Sequence, residues 1–190
     1  MKTTMIMLFL ALVSWGASAQ HDHSKMETKM TEKSKVSPSI KVEHSLSVTI
    51  IVDNYLLLKN ALVDDNSRKA ASSGKMLFDA LGKFELSGRS ESQQKELMDI
   101  LNDAKEHAEH ISENGDKIDH QREHFEILST DMKDLIVIAG SDRTLYQINC
   151  PMYNNNKGGN WLSEYKEIKN PFFGSKMLKC GNVVQEISTK

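Results

Sequence analysis

Cysteine, proline and aromatic residues are all scarce in this chain of 190 residues. It contains two cysteines and three prolines, and Phe, Trp and Tyr together make up 6% of it. All-β sandwiches and barrels need many turns and many pleated, aromatic-rich strands, so this composition favours a mainly helical fold. Two cysteines are also too few for a scaffold held together by disulfides.

Neither sign of charge dominates. There are 24 basic and 26 acidic side chains, which leaves a formal net charge of −2. Binding along a phosphate backbone requires an excess of Lys and Arg, so nucleic acid is not an expected partner. The sequence also has no G-x-S-x-G motif and no Gly-rich phosphate loop. It therefore predicts a protein that is not an enzyme.

Long apolar runs are missing except at the amino terminus. Lys2 precedes an apolar run from Met5 to Trp15, and the small residues Ala17 and Ala19 follow it. This run is shorter than the roughly 20 residues that span a bilayer, and the small-x-small pattern suits a signal peptidase. Residues 1–19 are therefore predicted to be a cleaved signal peptide. The mature chain is expected to be periplasmic, with no membrane span.

Two regions are predicted in the mature chain. Residues 20–38 are polar and charged and show no apolar period, which indicates a flexible tail containing histidine and methionine. Residues 39–190 are predicted to form one helical domain. Its last part, about 141–190, is rich in Gly and Asn and is interpreted as a loop-rich cap.

Four segments before the cap have apolar residues at helical spacing. They cover about 40–63, 67–81, 90–113 and 117–139. Short links between amphipathic helices predict a four-helix up-down bundle. In the cap, Leu145–Ile148 and Val183–Ile187 alternate like short strands and are expected to form a two-stranded pairing.

Each cysteine in the cap has a methionine nearby. The sequence reads Cys150-Pro-Met152 and, later, Met177-Leu-Lys-Cys180. A fold-back would bring two thiols and two thioethers together, a ligand set that selects soft ions such as Cu(I). The alternative is a structural Cys150–Cys180 disulfide, which is typical of oxidising compartments. The sequence leaves both interpretations open, and a redox-gated site would combine them.

Four histidines form two pairs with helical spacing. His107 and His110 lie near the end of the third predicted helix, and His120 and His124 lie near the start of the fourth. A short turn between antiparallel helices would bring the pairs together, and imidazole is a ligand for zinc, copper and nickel. The alternative is that these histidines lie on ordinary exposed helix faces.

The sequence thus predicts one main metal site and a set of secondary ligands, with copper favoured over zinc. His110 and His124 are expected to face the cap and complete its sulfur site. The primary ligands are Cys150, Met152, Met177, Cys180, His124 and His110. The secondary ligands are His107, His120, His21 and His23.

Four motifs extend over about residues 44–188. They read Y-L-x-L-K-x-A-L-x-x-D from Tyr55, Q-R-x-x-F-x-x-L-S from Gln121, CPMYNNNKGGNWLS from Cys150, and IKNPFFGSKMLKCG from Ile168. Together they resemble a bacterial periplasmic domain of unknown function. That domain occurs alone in exported Bacteroidetes-type proteins, and it also occurs fused to the membrane-fusion subunits of copper and silver efflux systems of the resistance-nodulation-division class.

The resemblance implies a function and some structural roles. It implies an exported protein that binds copper and either buffers it or delivers it to an efflux adaptor. It also implies that Trp161 pins the cap onto the helices and that Arg122 pairs with Asp65. The rival hypothesis is a metal-free module that binds a protein of the cell envelope and is held by a Cys150–Cys180 disulfide.

Overall fold

The computed structural model describes residues 36–190. The helices are α1 (Thr49–Val63), α2 (Ser67–Leu81), α3 (Glu91–Glu113), α4 (Ile118–Ala139) and a short α5 (Tyr153–Asn156), with one 3₁₀ turn at Gly174–Lys176. The strands are β1 (Ile40–Val42), β2 (Leu145–Cys150), β3 (Gly159–Ser163) and β4 (Asn182–Thr189). The chain is therefore mainly helical, with a small sheet near its carboxyl end.

The predicted signal peptide, residues 1–19, lies outside the described residues, as does most of the predicted tail. The end of that tail is attached to the sheet, because the Ser37 amide donates to the Val184 carbonyl at 2.7 Å. Between residues 36 and 190, no helix has the length and hydrophobicity needed to cross a bilayer.

Local sequence signals set the starts of α2 and α3. The Asn66 side chain accepts a hydrogen bond from the Lys69 amide at 3.0 Å. Ser90 and Gln93 form a reciprocal capping box at the start of α3. Such side chains satisfy amide groups that have no partner inside the helix. The predicted boundaries of these two helices are confirmed.

Consecutive helices pack against each other, α1 on α2, α2 on α3, and α3 on α4. Their apolar faces form a common core that includes Leu58, Leu77, Leu97 and Leu135. The helices α2 and α3 approach closely at Gly74, where an added Cβ would lie 3.0 Å from the Ala108 carbonyl oxygen. A larger residue at position 74 would therefore require α2 and α3 to move apart by a few tenths of an ångström.

The sheet is larger than the sequence predicted. It has four strands in the order β1-β4-β2-β3 instead of two. The strands β2 and β4 do pair, antiparallel, as expected. The strand β3 pairs antiparallel with β2, and β1 lies parallel to β4. The prediction missed β3 because Gly158 before it and its own first residues, Gly159 and Asn160, indicate a turn.

The first predicted helix was also too long. Residues 40–42 form β1, and α1 begins only at Thr49. The short apolar segment at residues 40–42 becomes a strand because β4 offers it an unpaired edge. The β-branched run from Val48 to Val52, in contrast, enters the helix as predicted.

Buried aromatic groups join the sheet to the helices. The Tyr55 hydroxyl on α1 accepts from the Leu162 amide on β3 at 2.9 Å. Trp161 is buried and meets Phe172 edge-on, with ring centroids 5.8 Å apart. Phe172 in turn packs near Phe125 of α4. The cap is thus fixed to α1 and α4.

Candidate metal centre

The turn between α3 and α4 brings the two histidine pairs together. His107 and His110 lie in the last turns of α3, and His120 and His124 lie in the first turns of α4. The link at residues 114–117 reverses the chain, so the two pairs face each other across the helix interface. We call these four residues, His107, His110, His120 and His124, the histidine cluster.

His124 lies at the centre of the histidine cluster. Its Nδ1 atom is 3.0 Å from Nδ1 of His107. The His110 ring stacks on it, with centroids 4.5 Å apart and an interplanar angle of 3°. The His120 ring meets it edge-on at 4.6 Å. His110, His120 and His124 each offer one ligand atom, and these atoms all lie within 4.8 Å of one another.

Carboxylates and amides hold the cluster in place. Glu123 lies 3.4 Å from Nδ1 of His120, and Glu106 lies 4.0 Å from Nε2 of His110. Gln121 donates to the Ile111 carbonyl at 3.0 Å, which joins the start of α4 to the end of α3. Carboxylates that contact ligand histidines commonly orient the ring and select its tautomer. Sequence reasoning did not identify these supporting residues, although their i,i+3 and i,i+4 spacing is a usable signal.

Electrostatics keep the centre of the cluster uncharged. Burial, reinforced by the neighbouring histidines, lowers the pKa of His124 to about 4. Burial also lowers the pKa of His107. A neutral imidazole carries a free lone pair on one nitrogen, which is the form that binds a metal. All four rings are partly exposed, so an ion can reach them.

The two cysteines form a second group at one end of the sheet. Cys150 ends β2 and is buried, and Cys180 lies two residues before β4. Their sulfur atoms are 3.0 Å apart, and both cysteines are free thiols in the structure. Burial and the hydrogen bond with Cys150 raise the pKa of Cys180 to about 11. Met152 is half exposed, and Met177 is partly buried.

Among the described residues, the group of converging ligand atoms around His124 includes no cysteine. His124 faces α3, whereas Arg122 faces the cap and donates to the Pro171 carbonyl at 2.8 Å. Two residues along a helix turn the chain by more than half a revolution, so these side chains diverge. Among residues 36–190, no hydrogen bond or ring contact joins the two groups. The structure brings the four histidines together and, separately, the two cysteines, while the mixed site of sulfur and imidazole stays a prediction.

The remaining predicted residues have structural positions. Arg122 donates from Nη2 to Asp65 at 2.6 Å, so the predicted pair is present. The same side chain also donates to the Leu62 carbonyl at 3.1 Å. Trp161 is buried between the sheet and the helices. His21 and His23 lie outside the described residues.

Residues 51–144 match the model of a family described as a protein of unknown function, DUF3347. A domain of this kind is therefore found over most of α1 and all of α2, α3 and α4, and it includes the whole histidine cluster. Neither the curated proteins nor the solved structures contain a match to the chain.

Proposed function

We propose that this protein binds a transition-metal ion at the histidine cluster, and that the ion is copper. The proposal rests on the convergence of three imidazoles on the ring of His124. His107 and His110 come from α3, and His120 comes from α4. Without a bound ligand, this grouping lowers the stability of the folded protein, because it removes imidazoles from water and prevents their protonation. A bound cation would offset that cost.

The distances suit a metal site. Three imidazole nitrogens bound tetrahedrally at about 2.0–2.1 Å from a metal lie about 3.3 Å apart. The ligand atoms of His110, His120 and His124 lie within 4.8 Å of one another, and those of His107 and His124 are 3.0 Å apart. Small side-chain rotations would bring three or four nitrogens to bonding distance. Imidazole accepts Zn²⁺, Ni²⁺ and copper, and the resemblance to copper and silver efflux components favours copper.

We propose the thiol pair as a second, softer site. In the reduced protein Cys150 and Cys180 would bind Cu(I), with Met152 and Met177 as neighbouring thioethers. The 3.0 Å distance between the two sulfur atoms supports this, as does the exposure of Met152. Thiolates and thioethers are soft ligands that prefer Cu(I) to oxygen-seeking ions.

In the cell, the protein would buffer copper in the periplasm or pass it to an efflux adaptor. The predicted signal peptide supports this location, and the resemblance supports this partner. The partial exposure of the histidine cluster suits transfer, because a three-coordinate ion keeps an open position for a ligand from the partner. We further propose that α1 to α4 form an up-down bundle, since consecutive helices pack against each other through short links.

Metal titration of the exported, purified chain tests the main site. We expect stoichiometric binding of Cu²⁺ in the presence of a competing chelator. His124→Ala should lower the affinity at least about tenfold, because it removes the central ligand. His44→Ala is the matched control, since His44 is exposed and lies outside the cluster. Equal affinities for the wild type and His124→Ala would contradict the proposal.

The thiol pair requires a separate titration with Cu(I) under reducing conditions. Cys150→Ser should remove one Cu(I) equivalent and leave Cu²⁺ binding at the histidine cluster unchanged. If Cys150→Ser binds as much Cu(I) as the wild type, the proposal of a Cu(I) site at the thiol pair is wrong.

The alternative function is a metal-free interaction module of the envelope with a Cys150–Cys180 disulfide. The short distance between the sulfur atoms favours it as well. Counting free thiols in the denatured, unreduced protein tests the disulfide. Absence of free thiols, together with absence of metal binding, would support this alternative over the metal-binding function.

A further inference from the structure

A buried lysine next to a small cavity is a separate feature, and the cavity lining includes none of the proposed metal ligands. Lys59 of α1 is only 5% exposed. A cavity of about 120 Å³ lies beside it, between α1 and the segment that follows β3. Its lining also includes Asn60, Ser163, Glu164 and Lys169. A buried lysine normally has a charged or hydrogen-bonding partner or extends its ammonium group to water. The Nζ atom of Lys59 is not fully buried, so the ammonium group opens into this cavity.

Lys59 has no such partner among residues 36–190, where no hydrogen bond or ion pair reaches its Nζ atom. Glu164 is already paired with Arg143, at 2.9 Å. Glu167, a further lining residue, is paired with Lys169 at 3.4 Å and with Lys179 at 2.8 Å. The acidic groups around the cavity are therefore neutralised by other cations.

Hydrogen-bond donors accompany the charge. Ser163 is buried, and its oxygen accepts from the Tyr165 amide at 3.2 Å, which leaves its hydroxyl hydrogen free to donate. The Asn60 side chain makes no hydrogen bond within the described part of the chain. Burial lowers the pKa of Lys59 to about 8, with Glu164 opposing this shift and Lys169 adding to it. Lys59 is thus still mainly charged at neutral pH.

We propose that this cavity is a binding site for a small oxyanion, a carboxylate or a phosphate, held by Lys59, Ser163 and Asn60. The anion would pair with the ammonium group at the cavity and accept hydrogen bonds from the Ser163 hydroxyl and the Asn60 amide. Hydrogen bonds to a charged group are about twice as strong as neutral ones, so Lys59 supplies most of the affinity. A volume of about 120 Å³ admits a small anion and excludes a nucleotide.

The test is an NMR titration of the exported chain at constant ionic strength, with sodium acetate in one arm and sodium phosphate in the other. The amide signals of Asn60 and Ser163 should shift and saturate in at least one arm, which also identifies the class of anion. Lys59→Met should weaken binding by about tenfold or more, because it removes the charge and keeps the length of the side chain. Lys166→Met is the matched control, since Lys166 is exposed and lies outside the cavity.

A second variant and a pH series keep the result decisive. Ser163→Ala should weaken binding severalfold and serves as the test if Lys59→Met does not fold. Acetate affinity should fall as pH rises through about 8, where Lys59 loses its proton. Absence of saturation in both arms would overturn the proposal. So would an equal loss in Lys166→Met, or an affinity that Ser163→Ala and a rise in pH leave unchanged.

Discussion

His124 is the residue whose surroundings most distinguish this chain. Three other imidazoles contact it, and burial lowers its pKa to about 4. An unperturbed histidine has a pKa of about 6.5. The folded, metal-free protein therefore resists protonation of this ring, whereas the unfolded chain accepts the proton readily.

This difference predicts that the stability of the metal-free protein depends on pH. Below about pH 6.5, His124 is protonated in the unfolded state but stays neutral in the folded state. The free energy of unfolding therefore falls as the pH falls from about 6.5 to 4. His124→Gln should remove about 1–2 kcal/mol of that loss. Chemical denaturation of the wild type and His124→Gln at pH 7.5 and pH 4.5 measures this difference in the free energy of unfolding. Identical pH dependence in the wild type and the variant would contradict the assignment.

Asp131 on α4 has the opposite kind of shift. Burial and the charges of Asp103 and Asp134 raise its pKa to about 6, and its Oδ2 atom is buried without a hydrogen-bond partner. The ionised form is therefore unfavourable in the folded state. This destabilisation is present above about pH 6 and disappears below about pH 4, where the carboxyl group is protonated in both states.

Asp131→Asn should accordingly stabilise the protein at pH 7 by about 1 kcal/mol and bring no gain below about pH 4. Asp99→Asn is the control, because Asp99 is an exposed residue of α3. Thermal unfolding at both pH values measures the effect. A loss of stability at pH 7 in Asp131→Asn would show that the carboxylate has a favourable partner.

At the scale of elements, features set by short-range sequence were predictable. The caps at Asn66 and Ser90 specify where α2 and α3 begin, and the apolar spacing specifies which faces are buried. The meeting of the two histidine pairs was also predictable, because a four-residue link leaves helix ends little freedom. Each of these sequence signals lies within a few residues of the helix end or turn that it determines.

Features that depend on distant neighbours were not predictable from the same signals. The strand β1 exists because Ile40 aligns with Ile187 on β4, far along the chain. Whether the histidine cluster and the thiols share one metal site depends on which face of α4 contacts α3 and which contacts the cap. Helical spacing places His124 and Arg122 on different faces, but it does not assign a neighbour to either face.

Arg122 connects several elements at once, and its removal should be costly. It donates to the carbonyls of Leu62 and Pro171 and to the carboxylate of Asp65, and only 3% of the residue is exposed. Arg122→Met would remove a donor from the carbonyls of Leu62 and Pro171 and break the ion pair with Asp65, which keeps its hydrogen bonds from Ser175, at a cost of about 2–4 kcal/mol.

Denaturant unfolding of Arg122→Met measures this loss. Arg68→Met is the matched control, because Arg68 is an exposed residue of α2. If Arg122→Met unfolds at the same denaturant concentration as the wild type, Arg122 does not join the cap to the helices.

At the scale of the whole molecule, the chain has two candidate metal sites with different chemistry. The imidazoles suit a borderline ion, and the thiols suit Cu(I) or a disulfide. Because no described contact joins the groups, a change in the oxidation state of the thiols should leave the histidine cluster unchanged.

This independence predicts two outcomes of oxidation. Forming the Cys150–Cys180 disulfide should stabilise the fold by about 3–4 kcal/mol on the chain-entropy model. It should leave the Ni²⁺ affinity of the histidine cluster the same within twofold. Denaturation and Ni²⁺ titration, each with and without reductant, measure both effects, because Ni²⁺ binds imidazole and is not reduced by thiols. A large change in Ni²⁺ affinity on reduction would mean that the sites are coupled.

The most direct test of the central claim is anomalous diffraction from crystals of the chain loaded with Cu²⁺. The account predicts one strong copper peak between α3 and α4, about 2.0–2.1 Å from imidazole nitrogens of His124 and at least two other members of the histidine cluster. A copper peak elsewhere with an empty histidine cluster, or no ordered copper at all, would contradict it.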